Sequence, residues 1–277
     1  MKKVGLIAGS GRFPLLFTEE ARRMGVTVVA LGIKDVTDKA LEALVSEVHY
    51  YPLGQISKPI ALLKEQGVSE VVMAGKVQHA SLFGGILPDF RAVKLLARLK
   101  DKRTDTILSA VADEFQKDGI TLLSSATYLS HLLITEGPAT ARAPSASESA
   151  DIRLGWKAAK ALAGFDIGQT VVVKDGAVIA VEAMEGTDAA VLRAAQIVRA
   201  RGEKPSLTVV KVAKPKQDLR FDIPVIGLDT LKTFAEAGVS ALALEAGCTL
   251  VFDKDQFLKA ADAQKLAIVA FKPEGPR

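Results

Sequence analysis

The sequence predicts an α/β protein built from two successive sheets, and two observations carry this prediction. In residues 1–130, short runs rich in valine and isoleucine alternate with amphipathic segments. Such a β-α-β order is typical of a parallel, doubly wound, Rossmann-like sheet. In residues 150–277 the same kinds of segment recur, but Lys174-Asp175-Gly176 joins two strands as a tight hairpin. We therefore expect a parallel sheet in the N-terminal domain and a mixed sheet in the C-terminal domain.

The elements of the first half follow from its hydrophobic pattern. Short apolar runs indicate buried strands, and the segments between them have the apolar spacing of helices. The predicted strands are Val4–Ala8, Val26–Leu31, Val48–Tyr51, Val71–Ala74 and Ile120–Leu123. The predicted helices are Leu15–Met24, Thr37–Val45, Lys58–Gln66, Phe90–Leu99 and Thr106–Lys117.

The composition changes between the two halves. Residues 135–149 read TEGPATARAPSASES, a stretch dominated by small residues and proline without periodicity, which is typical of a linker. The expected domains are therefore residues 1–134 and 150–277. After the linker the pattern predicts helices at Ala150–Leu162, Thr187–Arg201, 229–237 and 255–263, strands at 207–213 and 266–271, and paired strands near 241–252.

Charge and cysteine content exclude several classes of protein. The chain has 277 residues and a net charge of +4, and its 36 basic residues are scattered among 32 acidic ones. Because it has no basic run or tail, we expect no nucleic-acid partner; a small anionic substrate or an acidic membrane surface fits the mild positive excess. Cys248 is the only cysteine, which excludes an internal disulfide and a cysteine zinc site. The three histidines share no metal-ligand spacing.

The N-terminus predicts a first strand and not a targeting signal. MKKVGLIAGSGRFP has a positive start, but glycine and arginine interrupt its apolar run and no cleavage pattern follows. No apolar stretch approaches the roughly 20 residues that span a bilayer. We expect a cytoplasmic protein, with peripheral contact at a membrane surface left open.

Glycine-containing loops follow the first and the fourth predicted strands. Gly9-Ser10-Gly11 precedes Pro14, which suits the first turn of a helix, and Gly75-Lys76 follows an apolar run. Ligands of open α/β sheets gather outside the carboxyl ends of the strands, where these loops lie, and helix N-termini favour anions. The loops are candidates for a phosphate or mononucleotide site; a plain turn and an ordinary surface lysine are the alternatives. NAD is disfavoured, because the third glycine and the acidic residue of a dinucleotide fingerprint are absent.

The stretch KPKQDLRFDIPVIG, residues 214–227, interleaves cations and carboxylates behind a predicted strand. Its two prolines exclude a regular helix. In extended backbone Asp218, Arg220 and Asp222 project to the same side, which places two carboxylates about an arginine. This suits a hard cation together with a phosphate; the alternative is an ion-paired loop that fixes the domain. Residues 218–222 are called the acidic segment below.

A further polar cluster lies in AVEAMEGTDA, where Glu182, Glu185, Thr187 and Asp188 end an apolar strand pattern. Thr187 or Asp188 can cap the following helix. Glu182 lies on the pattern of a buried strand, where an unpaired carboxylate is costly, so we expect a lysine, an arginine or a metal as its partner. The chain has no G-x-S-x-G elbow. The remaining chemistry is that of carboxylates, lysine, arginine and Mg²⁺, which indicates phosphoryl chemistry.

Five segments together resemble the LpxI type of UDP-2,3-diacylglucosamine pyrophosphatase. They are GLIAGSGRFP, AGKV, DIGQTVVV, AVEAMEGTDA and VVKVAKPKQDLRFDIPVIG. The similarity runs from residue 3 to about residue 252, and the last motif is long and specific. After AGKV the sequence reads QHASLFGG and departs from the commoner family form.

The resemblance implies a lipid A biosynthesis enzyme. It would hydrolyse a lipid-linked nucleotide sugar, UDP-2,3-diacylglucosamine, to UMP and 2,3-diacylglucosamine 1-phosphate with Mg²⁺, between two domains that close on the substrate. The acyl chains need an apolar groove, for which Leu82–Leu87 is one candidate and the domain interface another. We also expect a homodimer, a common state for such enzymes, and leave open peripheral contact with the inner membrane.

The resemblance also implies roles for residues. Asp222 matches a catalytic or metal-site residue of the family, and Asp218 and Arg220 are further catalytic candidates in the same motif; Asp218 and Asp222 are the candidate Mg²⁺ ligands. The candidate substrate-binding residues, all in the matching segments, are Gly9, Ser10, Gly11, Gly75, Lys76, Gln169, Glu185, Thr187, Asp188 and Lys214. Two other interpretations stay open: a hydrolase of another UDP-sugar, and a non-catalytic nucleotide-sugar or lipid-binding protein.

Overall fold

The chain forms two compact units. The computed structural model describes residues 2–276 except 78–87, 100, 102, 103, 216, 217 and 222. The first unit contains Met1–Ser130 and Asp218–Asp222, and the second contains His131–Gln217 and Ile223–Arg277. Two segments therefore lie elsewhere than in the expected division: residues 131–149 belong to the second unit, and the acidic segment groups with the first.

The first unit contains a five-stranded sheet in the order β3-β2-β1-β4-β5, with every pair parallel. Its strands are β1 (Lys3–Ala8), β2 (Thr27–Ile33), β3 (Val48–Tyr51), β4 (Glu70–Ala74) and β5 (Thr121–Leu122). Its α-helices are α1 (Arg12–Arg23), α2 (Ser57–Glu65), α3 (Phe90–Leu96) and α4 (Thr104–Lys117). Where a helix is predicted at Thr37–Val45, the chain forms a short 3-10 helix, Lys39–Ala43, which the Asp38 side chain caps at its start.

The strand order brings β1 and β4 together in the middle of this sheet. From β1 the chain first winds outward through β2 and β3, then returns to β4 on the other side of β1. Such a reversal leaves a crevice outside the carboxyl ends of the two central strands, where open α/β sheets bind ligands. The two predicted glycine loops follow these two strands.

The second unit contains a six-stranded mixed sheet in the order β6-β13-β11-β9-β7-β8 and a parallel pair, β10 and β12. Its strands are β6 (Gly137–Pro138), β7 (Thr170–Lys174), β8 (Ala177–Val181), β9 (Leu207–Lys211), β10 (Val225–Ile226), β11 (Val239–Glu245), β12 (Leu250–Val251) and β13 (Ala267–Phe271). Its helices are α5 (Ala146–Gly164), α6 (Thr187–Ala200), α7 (Leu228–Ala237) and α8 (Lys254–Ala263). The predicted α/β class, with a parallel first sheet and a mixed second one, is confirmed.

One predicted pairing in this sheet is wrong. The strands near 241–252 do not pair with each other, because β11 is flanked on one edge by β9 and on the other by β13. With both edges of β11 occupied, β12 pairs instead with β10. The predicted hairpin between β7 and β8 is present: Asp175 and Gly176 both have positive φ, as a two-residue turn of this kind requires, and the Asp151 carboxylate accepts hydrogen bonds from both of their N–H groups.

The second sheet is buried on both faces. Val172, Val209 and Leu242 belong to an apolar cluster with residues of α6, α7 and α8, whereas Val171 and Val210 belong to a second cluster with α5. Burial on both faces explains why these strands are continuously apolar in sequence. Among the residues that the structure describes, no helix is long and apolar enough to cross a membrane.

Candidate functional site

The two glycine loops of the first unit are hydrogen-bonded to each other at the carboxyl ends of β1 and β4. The Gly9 N–H donates to the Ala74 carbonyl at 2.8 Å, and Ser10 and Lys76 exchange backbone hydrogen bonds of 2.9 and 3.0 Å. The Ser10 hydroxyl also donates to the Lys76 carbonyl at 2.9 Å. The loops, called the edge loops below, therefore form one unit at the crevice of the sheet.

This contact requires glycine at two positions. A Cβ on Gly9 would lie 2.7 Å from the Lys76 carbonyl oxygen, and a Cβ on Gly75 would lie 2.8 Å from the Ser10 oxygen. Gly75 also has φ +97°, a conformation that residues with a side chain rarely adopt. The glycines that the sequence singled out as ligand-loop residues thus allow the loops to approach each other closely.

Helix α1 begins directly after the first edge loop. Gly11, with φ 91°, stands at its N-cap and supplies no capping side chain, and Pro14 lies in the first turn. The N-terminal N–H groups and the helix dipole favour an anion at this position. The exposed Lys76 side chain belongs to the neighbouring loop. Both features suit a phosphate group.

Thr37 supports the same edge and was not singled out in the sequence. Its hydroxyl donates to the Ala8 carbonyl, at the end of β1, at 2.5 Å and accepts from the Ile33 N–H, at the end of β2, at 2.7 Å. The residue is 9% exposed. A lone threonine after a strand gives no local signal of such a role, because its partners are set by the sheet order.

The acidic segment is attached to the first unit through the residues that follow β5. The Ser125 N–H donates to the Leu219 carbonyl at 2.8 Å, and the Ser125 hydroxyl lies 2.8 Å from the Met73 carbonyl of β4 and 3.0 Å from the Arg220 carbonyl. Phe221 packs against the apolar core of the unit. The segment thus lies at the carboxyl edge of the sheet that also carries the edge loops.

Asp218 and Arg220 form a local ion pair within this segment. Both Asp218 oxygens accept from the Arg220 side chain, at distances from 2.6 to 3.1 Å, and the guanidinium lies 4.9 Å from the Phe221 ring centre. These hydrogen bonds hold the pKa of Asp218 below its ordinary value, although burial opposes them. The extended backbone predicted here is wrong for residues 218–221, because the Phe221 N–H closes a turn onto the Asp218 carbonyl. Asp222 lies outside the described residues, as does the Leu82–Leu87 stretch.

Asp218 does not fit a magnesium site in this arrangement. Both of its oxygens are taken by the guanidinium, and a cation would have to displace Arg220 to reach them. Within the described part of the chain, no group of three or more histidine, cysteine, aspartate or glutamate side chains could hold a metal ion.

In the second unit, a buried polar cluster centres on the Thr187 hydroxyl. It donates to Glu182 Oε1 at 2.9 Å, accepts from Lys211 Nζ at 2.7 Å and lies 3.3 Å from the Thr170 hydroxyl. Glu182 is 8% exposed and Lys211 5% exposed. Glu182 thus accepts from a threonine hydroxyl, where a lysine, an arginine or a metal was expected, and Lys211 donates to that same hydroxyl. Glu182 Oε2 and Gln169 Oε1 are buried and have no hydrogen-bond partner among the described residues.

The other predicted residues of this unit lie around the start of α6 and the end of β9. Glu185 accepts from the Arg193 side chain at 2.6 Å; a hydrogen bond from its own backbone, followed in size by the one from Arg193, lowers the pKa of Glu185. Asp188 is exposed in the first turn of α6. Lys214 pairs with Asp166 at 2.6 Å.

A second buried carboxylate, Glu245, lies at the end of β11. It accepts from Lys160 Nζ at 2.6 Å and from the Ala213 N–H at 2.8 Å, just before the chain enters the KPKQD stretch. Its side chain is 3% exposed. The signal for it was present in the sequence, since a glutamate ends an apolar strand there just as Glu182 does.

Comparison with known proteins shows similarity across both units. The LpxI N-terminal domain family matches residues 3–132, and the LpxI C-terminal domain family matches residues 135–269. A relative from Caulobacter vibrioides, "UDP-2,3-diacylglucosamine pyrophosphatase LpxI", is 32% identical over 285 residues, 99% of this chain and 99% of the relative. Among solved structures, the biotin carboxylase subunit of pyruvate carboxylase aligns with a TM-score of 0.24 and 12% identity, over 76% of this chain and 44% of that chain. A likeness this low carries no argument about fold or function.

Proposed function

The chain belongs to the LpxI enzyme family, and we propose that it hydrolyses the pyrophosphate of UDP-2,3-diacylglucosamine, releasing UMP and 2,3-diacylglucosamine 1-phosphate in lipid A biosynthesis. One observation supports this most strongly. The acidic segment is hydrogen-bonded to the sheet edge that also carries the edge loops, although it is about 95 residues away from Ser125 in sequence. An anion site and a carboxylate-bearing segment at one sheet edge are what pyrophosphate hydrolysis needs.

The edge loops are assigned to the pyrophosphate. N–H groups at the start of α1 and the Lys76 ammonium would neutralise charge that grows on the phosphoryl oxygens as water attacks. Gly9, Ser10, Gly11 and Gly75 contribute backbone and shape, since the Ser10 hydroxyl already donates to the Lys76 carbonyl.

Within the acidic segment, we assign different roles to the two aspartates. Asp222, which matches a catalytic or metal-site residue of the family, is proposed to orient and deprotonate the attacking water. Asp218 is a poor base, because its hydrogen bonds with Arg220 keep its pKa low. Arg220, whose side chain is 41% exposed, is assigned to a phosphate oxygen while Asp218 fixes its orientation.

For the second unit, the predicted substrate-binding residues stay candidates. Gln169 is favoured, because its buried Oε1 has no partner among the described residues and can accept from a substrate hydroxyl or N–H group. Thr187 and Asp188, at the start of α6, are further candidates. Glu185 and Lys214 already form ion pairs with Arg193 and Asp166, so binding through them would compete with those pairs.

Magnesium dependence is part of the proposal. A bound Mg²⁺ would supply charge neutralisation at the pyrophosphate. Because Asp218 does not fit as its ligand, the roles above are assigned to the chain's own residues without the metal. A homodimer and a cytoplasmic location stay predictions.

Contact with a membrane surface is proposed for α3. Its Phe90, Val93 and Leu96 side chains are 83%, 51% and 41% exposed, and the exposed Lys94 and Arg98 lie beside them. Apolar and basic side chains together suit an anionic lipid surface. Cosedimentation with anionic vesicles should fall in the Phe90→Ser variant if the proposal holds, and stay unchanged if it does not.

The test of the activity is a product assay. Purified protein incubated with UDP-2,3-diacylglucosamine should release UMP and the lipid 1-phosphate in equal amounts, and chelation by EDTA should stop the release. Release of UDP, or turnover of UDP-N-acetylglucosamine in its place, would overturn the substrate assignment.

A non-catalytic binding protein is the second candidate, favoured by the closed Asp218–Arg220 pair. In that case the acidic segment would be an ion-paired loop that only fixes its domain. The binding protein would retain the lipid substrate in equilibrium dialysis and release no UMP at any magnesium concentration.

A further inference from the structure

Ser125 makes three polar contacts from a nearly inaccessible position. The residue is 1% exposed and lies directly after β5. Its N–H group donates to the Leu219 carbonyl, and its hydroxyl lies within hydrogen-bond distance of two carbonyls, those of Met73 and Arg220. Two of the three partners belong to the acidic segment, and the third belongs to β4.

The position of these partners connects the two parts of the candidate site. Met73 lies in β4 two residues before Gly75, so its carbonyl is fixed relative to the edge loops. The Arg220 carbonyl lies two residues before Asp222 in the chain. A serine hydroxyl carries one proton, which the two carbonyls must share. The hydroxyl therefore links the strand that carries one edge loop to the segment that carries the proposed base.

We propose that Ser125 is a positioning residue for the hydrolysis, one that sets the distance between the acidic segment and the edge loops; the inference rests on the proposed function. Other contacts of the described part of the segment constrain its position less, and they include the negative charge of Asp113 acting on Arg220. Phe221 packs on the apolar core, which holds the segment down without fixing its register, and the Asp218–Arg220 pair is internal to it. Small displacements of a reacting group can cost on the order of a hundredfold in rate.

The neighbouring Ser124 provides a matched control. Its hydroxyl lies 3.4 Å from the Leu219 carbonyl, a long contact, and accepts a hydrogen bond from the Ala126 N–H at 3.2 Å. Ser125→Ala removes the link to Met73 and Arg220 but keeps the backbone N–H contact to Leu219, so the segment should loosen and not detach. Ser124→Ala removes the same chemical group one residue away.

The experiment compares kinetics of the two variants on UDP-2,3-diacylglucosamine. Ser125→Ala should lower kcat about tenfold, with KM unchanged within about twofold, because the lost hydrogen bond misplaces the reacting groups and not the substrate anchors. Ser124→Ala should keep both constants near the wild-type values. A thermal melt of each variant separates misfolding from misplacement. Equal kcat in the two variants, or a change in KM alone, would overturn the inference.

A second measurement does not depend on catalysis. Limited tryptic cleavage after Arg220, followed by mass spectrometry on the folded full-length protein, should be several-fold faster in Ser125→Ala than in wild type or Ser124→Ala. If the wild type shows no turnover, the proposed function fails, and this measurement alone decides whether Ser125 holds the segment. Equal cleavage rates in all three proteins would then refute the positioning role.

Discussion

Replacing Gly75 by alanine tests the contact between the edge loops. The added Cβ would lie 2.8 Å from the Gly9 carbonyl carbon, 2.8 Å from the Ser10 oxygen and 2.9 Å from Pro14 Cγ. Two of these atoms are backbone atoms of the facing loop, which cannot rotate away as a side-chain end does. The alanine must therefore push the loops apart or change its own φ of +97°.

The expected cost follows from the bonds that hold the loops together. Three backbone hydrogen bonds join them, from Gly9 to Ala74 and between Ser10 and Lys76 in both directions. Losing two of them costs about 1–3 kcal/mol. Alanine at positive φ adds about 1–2 kcal/mol. The free energy of unfolding of the first unit should fall by roughly 2–5 kcal/mol, and turnover should fall because the anion site opens.

Gly119→Ala is the matched control. Gly119 also has positive φ, +78°, and lies in the first unit, but its added Cβ would meet nothing within 4 Å. Gly119→Ala should lower the free energy of unfolding only by the cost of alanine at positive φ, about 1–2 kcal/mol. In urea denaturation, tyrosine fluorescence follows the first unit and tryptophan fluorescence the second, because all three tyrosines lie in the first unit and the single tryptophan lies in the second. If the tyrosine transitions of the two variants coincide, the close approach of the loops is not as described.

Three further predictions concern the second unit and substrate binding. Thr187→Val removes the hydroxyl that lies between Glu182 and Lys211. The free energy of unfolding measured from the tryptophan signal should fall by about 2–3 kcal/mol, because Glu182 and Lys211 both lose a buried partner. An unchanged tryptophan transition would contradict the described cluster. Burial raises the pKa of Glu148, but hydrogen bonds from Arg142 and a backbone N–H outweigh it and lower the pKa to about 2. A carboxylate with a lowered pKa stabilises the fold at pH values above the unfolded pKa of 4.5. This stabilisation, about 3 kcal/mol, should be lost as the pH falls from about 4.5 to about 2. Glu148→Gln should remove that part of the pH dependence of stability, and a Glu148→Gln protein with the wild-type pH profile would refute the prediction. Lys76→Ala should raise KM severalfold if the exposed ammonium meets a phosphate, whereas an unchanged KM would return Lys76 to an ordinary surface lysine.

Most strands could be predicted because the information for them is local. A strand buried on both faces is continuously apolar, and the predicted Val4–Ala8 is within one residue of β1, Lys3–Ala8. The linker prediction shows the opposite case. Within its small residues, Ser145 and Glu148 form a capping box. Because of this box, α5 begins at Ala146 and not at the predicted Ala150.

The parts of the candidate site were predictable to different degrees. The edge loops could be predicted because glycines occur where the backbone must approach closely or adopt positive φ. The contact between the two loops follows from the sheet order, in which β1 and β4 are neighbours. The attachment of the acidic segment could not be found, because its partner Ser125 is 95 residues away and a buried serine has no distinguishing pattern. The extended backbone failed as a prediction, since Asp218 and Arg220 satisfy each other within a turn.

The central claim is that the acidic segment performs the chemistry at this sheet edge. The most direct test is to measure turnover and binding of UDP-2,3-diacylglucosamine by the Asp222→Asn protein, which changes one oxygen to nitrogen and keeps the shape. Loss of a general base should lower turnover at least about a hundredfold and leave the dissociation constant of the substrate within about threefold of wild type. Turnover at the wild-type rate, or a loss of binding as large as the loss of turnover, would contradict the account.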